Sequence, residues 1–70
     1  MQITIEKLAS GHAIALIDGE RTAKLLPENY QGPRELIRKG SKFEALCSLY
    51  DESGGGGLCI TVRQVVRRIA

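Results

Sequence analysis

His12-Ala13-Ile14-Ala15-Leu16-Ile17-Asp18-Gly19-Glu20-Arg21-Thr22-Ala23-Lys24-Leu25-Leu26 reads as a β-hairpin. Asp18-Gly19 supplies two residues that tolerate positive φ, which a tight type I′ turn needs at both central positions. A two-residue turn there pairs Ile17 with Glu20, Ala15 with Thr22 and Ala13 with Lys24. On the opposite face Ile14 stands across from Ala23, and His12 across from Leu25. The expected core face is therefore Ile14, Leu16, Ala23 and Leu25. Ala13, Ala15, Thr22 and Lys24 form the expected outer face, which is flat and mildly polar.

Working outward, Met1 to Leu8 alternates, with Ile3 and Ile5 on one side and Gln2, Thr4 and Glu6 on the other. That is the pattern of a half-buried strand. Ser10-Gly11 separates it from the hairpin. Beyond the hairpin, Pro27 and Gly32-Pro33 end the third strand. Pro33 suits the first position of a helix and Gly40 its stop, which predicts a short helix over Pro33–Lys39 with Leu36 and Ile37 facing in. Lys42 to Leu49 is a fourth strand carrying Phe43, Ala45, Cys47 and Leu49 on one face. Tyr50 to Gly57 is a loop ending in a run of glycines that reads as a flexible tip. Leu58 to about Val66 is a fifth strand with Leu58, Ile60 and Val62 inward and Cys59 and Arg63 outward. For the apolar and basic end, Val65 to Ala70, strand and helix both remain open.

Three strands, a short helix and two strands form the order of a small five-stranded β-barrel of the OB type, an all-β fold. The chain has 70 residues, enough for a single domain over 1–70. Hydrophobic residues make up 43%, which suits a packed core and argues against disorder. No stretch approaches the roughly 18 apolar residues of a membrane span. The N-terminus carries no secretory signal pattern, and two cysteines are too few for a disulfide framework. The expectation is a cytoplasmic protein with reduced thiols and no membrane association. Cys47 and Cys59 fall on opposite strand faces, so no bridge between them is expected.

Several segments resemble S1-like OB domains. Ala13-Ile14-Ala15-Leu16-Ile17-Asp18-Gly19-Glu20 is similar to their second strand and turn. Ile37-Arg38-Lys39-Gly40-Ser41-Lys42-Phe43-Glu44-Ala45 is similar to their helix, basic-Gly and fourth-strand element. Leu49-Tyr50-Asp51, followed by glycines and an alternating strand, is similar to their last hairpin. The translation initiation factor one family resembles this chain in length and order. The resemblance implies an OB barrel that binds RNA. The chain departs from that pattern where bases would stack, because the expected outer face of strands two and three has no aromatic residue.

The residues offer little for catalysis. His12 is the only histidine, and nothing adjacent in the sequence would orient it toward a cysteine nucleophile. Two cysteines and one histidine fall short of a four-ligand zinc site. The glycine run lacks the Lys-Ser/Thr of a phosphate-binding loop. The expectation is a non-enzyme with no cofactor or metal. Lys and Arg total 10 against 8 acids, for a formal net charge of +2. That balance permits an anionic partner. The candidate contacts to single-stranded RNA or DNA are Lys24, Arg34, Arg38, Lys42, Arg63, Arg67 and Arg68 for phosphates, and Tyr30 and Tyr50, both expected in loops, for bases. The alternative is an adaptor with a protein partner, or a homo-oligomer, supported by the apolar end Val65, Val66 and Ile69 and by the flat Ala13/Ala15 face.

Overall fold

A computed structural model describes residues 1–52 and 54–70 of the chain. Its elements are β1 (Gln2–Ala9), β2 (His12–Ile17), β3 (Arg21–Tyr30), a 3-10 turn (Arg34–Leu36), β4 (Lys42–Asp51) and β5 (Leu58–Arg68). The strands close into a ring in the order β1-β2-β3-β5-β4. All neighbours are antiparallel except β3 and β5, which run parallel. Ring closure pairs β1 with β4 through Ile3↔Phe43 and Thr4↔Lys42. Ser53, inside the expected glycine loop, lies outside the described residues.

Asp18 (φ 52°) and Gly19 (φ 71°) both take positive φ, and the Glu20 amide donates to the Ile17 carbonyl at 3.0 Å. The turn chemistry read from Asp18-Gly19 is therefore present. The ladder, however, resumes at Ile17↔Arg21, leaving Glu20 as an extra residue. That single residue overturns the expected pairing. Ala15 now opposes Ala23, and Ala13 opposes Leu25. Because side chains alternate with period two, a one-residue slip moves a whole strand's set to the other face. Ala13, Ala15 and Ile17 point into the ring and are buried; Ile14 and Leu16 lie outside, half-buried. Ala23 and Leu25 face inward as expected.

Space explains which set goes in. Ile3, Ile5, Phe43, Ile60 and Val62 already fill the ring with zero exposure. A small ring is packed by alternating large and small side chains, so alanines occupy the remaining interior positions. Outside, Ile14 sits between Lys7 of β1 and Lys24 of β3, and Leu16 between Thr4 and Thr22. The aliphatic stems of such flanking lysines can cover apolar surface while keeping their charges in water.

The expected helix over Pro33–Lys39 is absent, replaced by one 3-10 turn. Pro33 stays extended (ψ 131°) with no side-chain cap, and Ile37 leaves helical geometry (ψ 75°). Seven residues are too few to repay helix nucleation without a cap. Gly40 instead belongs to a turn in which the Ser41 amide donates to the Arg38 carbonyl at 3.1 Å. Leu36 is nonetheless buried, and Ile37 packs against the core, as their apolar character required.

Pro27 does not end β3, which runs on to Tyr30. The β3–β5 ladder skips from Leu25 to Tyr30, so the proline falls where no pairing to β5 is needed. Tyr30 and Tyr50 accordingly lie in strands rather than loops. Residues 65–68, left open between strand and helix, continue β5. Breaks in the β4–β5 register near Val66 and Arg63 let this long hairpin bend around the ring.

Tyr30 packs edge-on against Phe43, ring centroids 6.3 Å apart, and its hydroxyl donates to the Pro33 carbonyl at 2.7 Å. Burial first, and the Glu35 carboxylate second, hold its phenol above the ordinary value of 10.0. Since the folded state raises this value, the stability it contributes is complete below pH 10.0 and is lost as pH rises through the folded value. In thermal melts from pH 8 to 11, the wild type is expected to lose midpoint temperature above pH 10 more steeply than Tyr30→Phe. Parallel curves would show that Tyr30 is not responsible.

Candidate nucleic-acid interface

The pairings bring several distant segments to one end of the ring. β1 ends there, β2 begins, β3 ends, β4 begins and β5 ends. The Arg38–Ser41 turn docks on β1, where the Gly40 amide donates to the Ile5 carbonyl (2.8 Å) and the Ile5 amide to the Ser41 carbonyl (2.9 Å). Lys42 is tied to the last residues of the chain, its amide donating to the Ala70 carbonyl at 2.9 Å. Phe43 pairs with Arg68 and Glu44 with Arg67. Arg38, Lys39, Lys42, Arg67 and Arg68 thus lie at the same end of the ring, all exposed, with Arg67 and Arg68 on opposite faces of β5. Arg67 meets Glu44 at 3.5 Å, an exposed pair worth at most about 1 kcal/mol. Arg34 stands at the same end, on the 3-10 turn.

The other candidates go elsewhere. Lys24 lies on the outer face of β3, with its ammonium 3.3 Å from Glu52. Arg63 sits beside the break in the β5 ladder, exposed, near the Cys47 thiol, whose pKa burial raises. Tyr30 is committed to packing against Phe43.

Tyr50 belongs to a second constellation. A row of paired residues crosses the outer face of the sheet: Lys7↔Ile14, Ile14↔Lys24, Lys24↔Cys59 and Cys59↔Tyr50. The Asn29 side-chain amide donates to the Tyr50 hydroxyl at 2.7 Å. Cys59 is fully buried beneath this outer cluster and outside the main core, its thiol donating weakly to Glu52 at 3.8 Å. Partial burial, then the Cys59 thiol, raise the Tyr50 phenol above its ordinary value. Tyr50 remains 39% exposed. Lys7, Asn29 and Glu52 were not among the residues singled out from the sequence. Only cross-strand register places them here, and no local spacing announces it.

Cys47 and Cys59 are both free thiols. They sit three steps apart on the β4–β5 ladder, opposite Val62 and Tyr50 respectively, and on opposite faces. That agrees with the expectation from strand parity. Among the described residues, no helix is long and apolar enough to cross a membrane. No family model, curated protein or solved structure matches this chain.

Proposed function

We propose that the chain is a non-catalytic OB-type module that binds single-stranded RNA or DNA with weak sequence specificity. The closed ring supports the OB reading, with its β1-β2-β3 meander and β5 inserted between β3 and β4. The observation that carries the functional reading is the placement of Arg38, Lys39, Lys42, Arg67 and Arg68, from segments far apart in the chain, at one end of the ring. Clustered cations of this kind track a phosphate backbone and release its counterions. The outer face of β4 leads from Lys42 to Tyr50, roughly 26 Å away at about 3.3 Å per residue. Tyr50 offers a ring on which a base can stack, and stacking of this kind is worth about 1–3 kcal/mol.

Fluorescence anisotropy with single-stranded RNA and DNA at two salt concentrations tests the reading. Affinity is expected to be micromolar or weaker at physiological salt, and to fall as salt rises. Each phosphate contact contributes a slope of about −0.7 for single strands, so Lys42→Ala with Arg68→Ala should flatten the slope by roughly 1.4. Absence of any salt-sensitive binding at low ionic strength would sink the proposal. An adaptor or self-associating role would then take its place. It has its own observation: Leu46 and Val66, on the β4–β5 hairpin, are more than half exposed, at 54% and 53%.

A further inference from the structure

A cavity of about 540 Å³ opens at the same end of the ring as the cation cluster. It lies between the β1–β2 turn, the last residues of β3 and the 3-10 turn. Leu8, Leu25, Leu26 and Ile37 form apolar walls, and Arg34 and His12 are its basic lining groups. Among the described residues, no Asp or Glu lines it. Glu35 follows Arg34 in the chain and acts on Tyr30, yet neither Arg34 nor Glu35 belongs to an ion pair among the described residues. Leu8 is 55% exposed, the most exposed large apolar side chain described.

We infer that this cavity receives one unstacked nucleobase of a single strand whose phosphates lie on Arg34 and the neighbouring cations. The inference rests on the nucleic-acid reading above and adds a base-accepting site to it. The volume falls within the roughly 300–1,000 Å³ typical of small-ligand sites. Apolar walls suit the faces of a base. A guanidinium at the mouth suits the phosphate attached to it. A small carboxylate with an apolar tail would satisfy Arg34 alone. The cations spread around the same end fit a polyanion instead. An already single-stranded base has little stacking to lose on entering such a pocket. With apolar walls and few side-chain polar groups, the cavity accepts a base without reading its edge, so purines and pyrimidines should both enter.

The test compares three short single-stranded DNA probes of equal length: unmodified, carrying one central 2-aminopurine, and carrying one abasic site at that position. The abasic probe is expected to bind about tenfold more weakly than the unmodified one. The 2-aminopurine emission should change on binding. Amide or methyl resonances of Leu8, Leu25 and Ile37 should shift with the unmodified probe. Leu8→Ser, at an exposed position, should keep the wild-type melting temperature and abolish the difference between unmodified and abasic probes. Salt-sensitive binding that is equal for unmodified and abasic probes would overturn the base site while leaving the nucleic-acid reading intact. No binding of any probe would overturn both. Shifts of Leu8 and Ile37 with protein concentration alone would assign the cavity to a second copy and overturn the inference.

Discussion

Phe43→Ala is expected to destabilise the protein by about 3–5 kcal/mol, as deletion of a buried aromatic side chain does. Phe43 has no exposed surface, pairs with Ile3 where the ring closes, and receives the edge of Tyr30. Its removal leaves a void at the junction of β1 and β4, where the ring is joined by only a short ladder. Neighbours that are themselves held in paired strands can collapse into that void only partly. A chain of this length has a total stability of about 4–10 kcal/mol by the usual per-residue range. At the lower end of that range the variant should populate the unfolded state measurably at room temperature. Urea unfolding followed by circular dichroism measures it. A loss below about 1 kcal/mol would mean that Phe43 is not central to the core.

Ala15→Asp is expected to prevent folding at neutral pH, whereas Ile14→Asp should be tolerated. Ala15 points into the ring with no exposure, between Ile5 of β1 and Ala23 of β3. An unpaired charge there costs several kcal/mol, comparable to the whole stability of the domain. Ile14 lies outside between Lys7 and Lys24, where an aspartate gains two cationic neighbours and access to water. The pair is a direct test of register. If Ile14→Asp unfolds the protein and Ala15→Asp does not, the expected two-residue pairing is the real one and the observed faces of β2 are reversed. Circular dichroism and amide dispersion in NMR spectra of both variants decide between them.

Much of the candidate interface was legible as residue type but not as a place. Arg38, Lys42, Arg67 and Arg68 could be named as phosphate contacts because they are basic and flank apolar strands. That they share one end of the ring follows from the pairing of Lys42–Glu44 with β1 on one side and the end of β5 on the other. Lys24 was named for the same reason, yet it faces Glu52 on a different part of the ring. Tyr50 was placed in a loop because the glycines after it suggest an early end to β4. The strand persists through Asp51 because β5 continues to pair with it.

The existence and order of the strands are readable from local pattern alone. Ile3 and Ile5, the run from Phe43 to Leu49, and Leu58 to Val62 alternate too regularly for another reading, and Asp18-Gly19 can take the left-handed turn. These are local properties, set by the two-residue period of a strand and by the φ that each residue tolerates. Tertiary structure decided which face of β2 is inside, because a ring filled by Ile3, Ile5, Phe43, Ile60 and Val62 has room for Ala13 and Ala15 but not for Ile14 and Leu16. It also decided that residues 33–39 make one turn instead of a helix, since a segment too short to nucleate alone takes the shape its anchors allow. The packing of Leu36 into the core and the docking of Gly40 on β1 fix those anchors. Both outcomes depend on volume and long-range contact, which no local pattern of residues encodes.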